Sequence, residues 1–155
     1  WDCELANADY EKNKRRVSGK GETEMNKEWE EVKLFHEKFN HPIGQYPKIM
    51  EKERAKKRYN WMLEEINEFL EAVEQGDIVE EADAMIDVIY FALGTLVEMG
   101  IKPDELFEIV QCANMSKLWE DGKPHYAEDG KTIKPATWED PHNKLRQAIE
   151  RMKES

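Results

Sequence analysis

Between Tyr59 and Ile101 the chain has no lysine and no arginine, although aspartate and glutamate recur throughout that stretch. Cysteine is as scarce. Cys3 and Cys112 sit far apart in the sequence, outside any spacing that builds a metal site or a redox motif, so a reducing, cytoplasmic home is expected. No apolar run approaches the roughly 18 residues of a membrane span, and no signal peptide is recognisable, so no membrane partner is expected. A basic excess is missing too. The net charge of −11 argues against a nucleic-acid backbone as the main partner, because that needs a basic face.

What is present is an acidic, charge-rich chain of 155 residues, 39% hydrophobic and 37% charged. That length suits one domain, and the composition suits amphipathic helices around a thin core completed by a second copy of the chain. The acidity is local. Residues 1–25 and 115–155 are nearly balanced, whereas the middle carries almost all of the excess. Residues 1–24 are polar and aperiodic and read as an arm or an artificial extension, so the domain proper spans 25–155.

Helical spacing of Trp29, Val32, Phe35 and Phe39 predicts a helix over Lys27–Phe39, broken by the prolines and glycine of residues 41–47. A second helix runs from about Met50 to Gln75, with an apolar stripe of Met62, Ile66, Phe69, Leu70 and Val73. Gly76 stops it, Asp77 caps a third helix ending near Met99, and Pro103 falls in the first turn of a fourth. That helix turns Leu106, Ile109, Val110 and Ala113 inward. Two Glu-Asp-Gly-Lys echoes, at 120–123 and 128–131, are tight-turn signals in an irregular tail where a small hairpin fits. Asp140-Pro141 opens a last helix. The expected class is all-α: four to five helices in an antiparallel bundle completed by oligomerisation.

Glu64, Glu65 and Glu68 fall within an arc of about 100° on the second helix, and Glu80, Asp83 and Asp87 within roughly 60° on the third. The short Gly76-Asp77 connection makes these helices antiparallel neighbours, so the two carboxylate sets can face each other. Glu71, Glu74 and Glu81 read as a solvated face. Glu80 is either a ligand or half of a capping box with Asp77. Asp87 is different, because Ala84–Val97 is apolar on nearly every side, as in a buried helix, with this one charge in it. A buried unpaired carboxylate costs several kcal/mol or stays protonated. No Lys or Arg lies on this helix or on the facing turns of its neighbour, so a hard divalent cation is expected, with a basic group from elsewhere or a protonated Asp87 as alternatives. Such an ion suits phosphate chemistry: it screens phosphate oxygens and acidifies a water whose proton a spare carboxylate accepts.

Glu64-Glu65-Ile66-Asn67-Glu68 resembles the Glu-Glu-x-x-Glu motif of the MazG-like, all-alpha nucleoside triphosphate pyrophosphohydrolases, a superfamily that includes dimeric dUTPases, dCTP pyrophosphatases and phosphoribosyl-ATP pyrophosphohydrolases. The family's Glu-x-x-Asp matches Glu80-Glu81-Ala82-Asp83 literally. The aspartate before an apolar-aromatic run is instead Asp87, in Asp87-Val88-Ile89-Tyr90, which puts Ala84 where the family has Glu. Both alignments stand. Val32–His36 with Phe39, Ala113–Leu118 and the two Asp-Gly-Lys turns resemble the phosphoribosyl-ATP pyrophosphohydrolase-like branch, so the likeness covers about Val32–Pro135. It implies cleavage of the α–β phosphoanhydride to a nucleoside monophosphate and pyrophosphate with Mg²⁺ or Mn²⁺, by a homodimer or dimer of dimers. It also implies Glu65 as the carboxylate that activates water, with Glu64, Glu68, Asp83 and Asp87, and Glu65 itself, toward metal.

Supporting candidates are fewer. Asn114 and Lys117 lie three apart at the end of the fourth helix, where Lys117 either reaches a phosphate or complements the helix dipole. Lys131 and Lys134 are turn lysines with the same choice between phosphate and solvent. Trp61 and Tyr90 either stack on a base or pack as core. His36 reads as packed, and the basic run Lys52–Arg58 as a solvated helix start. Competing functions are a nucleotide pyrophosphohydrolase on a deoxy or non-canonical nucleotide, a phosphoribosyl-ATP pyrophosphohydrolase, and a non-catalytic metal-stabilised bundle that binds nucleotide or a protein.

Overall fold

Helix α1 (Glu24–Lys38) buries Trp29, Val32 and His36, three positions on one face. The computed structural model describes residues 24–155, so the expected arm lies, Glu24 apart, outside the described residues. Asn40 ends α1 at a φ of 56°, a left-handed conformation that asparagine tolerates better than most residues, and the His41 N–H returns to the His36 carbonyl at 2.8 Å.

Helix α2 (Lys52–Gln75) starts under Glu51, whose carboxylate accepts from the N–H groups of Glu53 and Arg54. It stops at Gly76, with φ 68°. The Gly76 N–H donates to the Val73 carbonyl and the Asp77 N–H to that of Ala72, the paired bonds of a Schellman cap. Asp77 then caps α3 (Ile78–Met99), its Oδ1 accepting from Val79 and Glu80. The capping box, one of two readings of Glu80, is not completed: the Asp77 N–H is already spent on Ala72, and the Glu80 side chain is exposed. Gly100 closes α3 as Gly76 closes α2, with Ile101 buried beyond it. The two-residue connection folds α3 back along α2, the antiparallel pair the sequence implies.

Residues 40–51 form a strap over the end of α3. The Gly44 N–H donates to the Val97 carbonyl at 2.9 Å and the Lys48 N–H to that of Met99 at 3.0 Å, satisfying acceptors left over at the helix terminus. A Cβ at Gly44 would stand 2.5 Å from the Gly100 nitrogen, so only glycine allows this approach.

Trp29, Val32, Leu93 and Val97 make the core, with Ile43 and Leu96 against it. It is smaller than the apolar patterning implies. Ile66, Leu70 and Val73 of the expected α2 stripe are exposed, and Met62 and Phe69 only half-buried. On α3, expected to be buried all round, Ile86, Ile89 and Tyr90 are open to solvent, and only Ala84, Leu93, Gly94 and Val97 are fully buried.

The described chain divides into two compact units, Met25–Pro103 with Met152–Ser155, and Asp104–Arg151. In the second, α4 (Asp104–Met115) begins just after Pro103 and buries no side chain completely. Val110, expected inside, is exposed. The two Asp-Gly turns form as expected. Asp121 and Asp129 accept from the N–H groups of Lys123 and Lys131, and β1 (His125–Tyr126) pairs antiparallel with β2 (Thr132–Ile133). Asp140 caps α5 (His142–Glu154) through the His142 N–H. No single helix among the described residues is long and apolar enough to cross a membrane.

Candidate active site

The α2–α3 pair brings four of the expected carboxylates under one another's influence. Glu65 is half-buried. Its Oε2 is shut off from solvent without a hydrogen-bond partner. Burial is the first cause that raises its pKa, to about 7; a hydrogen bond and the charge of Glu68, then the charges of Asp87 and Asp83, add to it. Asp87 is half-buried rather than buried, and its pKa is raised by desolvation, then by Asp83 and Glu68. The charged neighbours acting on both groups are carboxylates. Glu64 and Glu80 are exposed and do not enter this coupling.

Among the described residues, no three acidic, histidine or cysteine side chains have drawn in to the spacing of a closed cation cage. Mutual repulsion favours such an open arrangement. The donor set nevertheless fits a hard divalent ion: its atoms are carboxylate oxygens, one of them is buried and unpartnered, and cationic neighbours are missing from the causes that shift Glu65 and Asp87.

The seam holds a second feature that the sequence reading missed. Arg58, taken above as part of a solvated helix start, is buried at 3% exposure. Its Nε donates to Thr95 Oγ1 at 2.8 Å, its Nη1 to Glu98 Oε2 at 2.5 Å and its Nη2 to the Phe91 carbonyl at 3.0 Å. Arg54 adds two bonds to the same Glu98 carboxylate, at 2.7 and 3.2 Å. Two signals were in the sequence: arginines spaced i, i+4 within a lysine-rich run, and a lone glutamate in the apolar end of α3.

The remaining candidates lie where their own packing puts them. Trp61 faces the arginines, with the Arg54 guanidinium 5.1 Å and that of Arg58 5.7 Å from its ring, and Phe91 tilted against it. Tyr90 stands edge-on to Phe35 at 5.7 Å, its hydroxyl pKa raised by burial and then by Glu31. His36 is packed, as expected, with Nδ1 on the Pro42 carbonyl at 2.8 Å and its pKa lowered chiefly by burial. In the other unit, Lys117 Nζ donates to Asn114 Oδ1 at 2.9 Å, Lys134 lies 4.2 Å over the Trp138 ring, and Lys131 is exposed.

The family model for phosphoribosyl-ATP pyrophosphohydrolase matches residues 32–114, more than half of the chain. A provisionally assigned NTP pyrophosphohydrolase from Exiguobacterium sp. 255-15, known from a crystal structure, is 32% identical over 80% of this chain and 94% of its own. The superposition has a TM-score of 0.47. Curated proteins give no match. The matched span includes Glu64, Glu65, Glu68, Asp83 and Asp87, the helices that carry them and the Arg58–Glu98 pair, and on that span the chain belongs to the phosphoribosyl-ATP pyrophosphohydrolase family and is a pyrophosphohydrolase enzyme.

Proposed function

We propose that the enzyme is a divalent-metal-dependent nucleoside triphosphate pyrophosphohydrolase, cleaving the α–β phosphoanhydride of a deoxy or non-canonical nucleotide to a monophosphate and pyrophosphate. The observation that carries this reading is the unpartnered buried oxygen of Glu65 among Glu68, Asp83 and Asp87. When bound, Mg²⁺ or Mn²⁺ supplies charge screening for the phosphate oxygens and acidifies water. Glu68, Asp83 and Asp87 would hold the ion, with Glu64 and Glu80 as exposed reserves. Glu65 accepts a proton from the attacking water. The water oxygen bonds to the α-phosphorus as the bond to the bridging oxygen breaks, and pyrophosphate leaves with that bridging oxygen. Tyr90 and Trp61 are candidate base contacts. The acidic balance supports a small anionic substrate over nucleic acid, and a cytoplasmic location suits that supply.

A homodimer or dimer of dimers belongs to the same proposal. Leu63, Ile66, Leu70 and Val73 on α2, with Ile86 and Ile89 on α3, expose more apolar side chain than a lone helical pair normally leaves in water.

The test is a nucleotide panel, phosphoribosyl-ATP included, with Mg²⁺ and with pyrophosphate and monophosphate measured together. Equal release of both is expected, lost in Asp87→Asn while helical circular dichroism persists. Phosphoribosyl-ATP as the preferred substrate would replace the nucleotide class. Binding without release on any substrate would leave a non-catalytic bundle.

A further inference from the structure

Arg58 and Glu65 are seven residues apart on α2, two turns along one face. On α3, Phe91, Thr95 and Glu98 follow Asp87 at intervals of four, eight and eleven, again along one face. The Arg58–Glu98 ion pair and the Glu65–Asp87 carboxylates therefore lie on a single α2–α3 seam. Toward the Gly76 turn that seam is acidic on both sides, since no lysine or arginine occurs from Tyr59 to Ile101. Like charges facing each other across that stretch repel, and nothing basic on it offsets them. Two restraints bracket the repelling stretch: the Gly76-Asp77 connection at one end and the arginines at the other.

The arginine end is built for register. The Arg58 guanidinium binds three different groups on α3, spaced over two turns: the Phe91 carbonyl, the Thr95 hydroxyl and the Glu98 carboxylate. A point charge can satisfy Glu98 at several offsets, but a planar fork meeting all three fits one. The side chain is enclosed as well. A Cβ at Gly94 would stand 2.5 Å from Arg58 Nη2 and 2.9 Å from His36 Nε2, so the helix has no side chain where the guanidinium lies. Glu98 is 2% exposed, so the pair has been taken out of water, a cost that ordinary helix packing does not require.

We propose that Arg58, with Arg54 and Glu98, is a positioning clamp: it fixes the register of α2 on α3, and so holds Glu65 and Glu68 opposite Asp83 and Asp87 before any cation arrives. This rests on the metal-site reading above. Arg58 acts through the carboxylates and touches no reacting atom.

Arg58→Lys tests the fork, because it keeps the charge and loses two of the three bonds. Arg58→Met/Glu98→Leu tests the clamp with the buried charges removed together, a replacement that can keep a core stable. Mn²⁺ binding is measured on each purified, folded protein by electron paramagnetic resonance, and activity is then titrated against Mn²⁺. Both variants are expected to bind Mn²⁺ about tenfold or more weakly, the usual effect of losing support behind metal ligands. Most of kcat should return at saturating Mn²⁺, because the carboxylates themselves are intact. A purely structural role would lower melting temperature but leave Mn²⁺ affinity per folded molecule unchanged, and that result overturns the clamp. So does wild-type affinity in either variant. A wild type that takes up no Mn²⁺ overturns the metal reading itself, and is told apart because the defect then precedes any substitution.

Discussion

Glu65 sits where burial and three like-charged neighbours all oppose its ionisation, and its consequences for pH follow from the sign of that shift. An acid with a raised folded pKa binds its proton more tightly when folded. Its contribution to stability is therefore complete below the ordinary value of 4.5 and is lost as pH rises through about 7. In metal-free protein, Glu65→Gln is expected to melt higher than wild type at about pH 8, with the gap closing toward about pH 4.5. His36 has the opposite sign: its lowered pKa means stability lost as pH falls through and below 6.5. It is common to both proteins and cancels in the difference. Thermal melts in chelator measure this, and a gap that stays constant with pH would refute it. The same substitution should abolish turnover at saturating Mg²⁺, so one residue is predicted to trade stability for activity.

Among the elements, α3 has the most demanding job, because it faces the core, the strap and the charged seam at once. Gly94 marks the tightest of these contacts. An alanine there regains roughly 1 kcal/mol of helix propensity. Its methyl would also displace a guanidinium held by three hydrogen bonds, and overpacking of this kind costs typically about 1–3 kcal/mol. Gly94→Ala is expected to be net destabilising, by a few degrees of melting temperature in a chain of this size. An unchanged or higher melting temperature would show that Arg58 can move without loss.

At the scale of the whole molecule, the core described in one chain is too small for its apolar content. Leu70 is 57% exposed and Ile86 60%, on the two helices that also carry the carboxylates. A second copy is the proposed cover. Leu70→Glu is expected to halve the mass seen by light scattering on a sizing column while the helical spectrum is kept. A wild type already monomeric at micromolar concentration would remove the oligomer from the proposal.

Much of this was written locally and could be read locally. The glycine stops at Gly76 and Gly100, the Asp77 cap, the Asp-Gly turns and the Glu64-Glu65-x-x-Glu68 face each depend on residues within one or two turns of one another. Spacing alone therefore specified an all-α chain with facing carboxylates. Three things were decided only by tertiary structure. Which apolar stripe is core was not legible, because periodicity shows that a face is apolar but not what covers it. The fate of Glu80 turned on whether the Asp77 N–H was already taken by Ala72, a bond made across the end of the preceding helix. Arg58 looked like a solvated cation until α3 folded back and brought Glu98, Thr95 and an absent side chain at Gly94 to it. The sequence by itself determined which groups carry charge along each helix; the register of α2 on α3, set by contacts between residues some 40 positions apart, decided which of those charges meet.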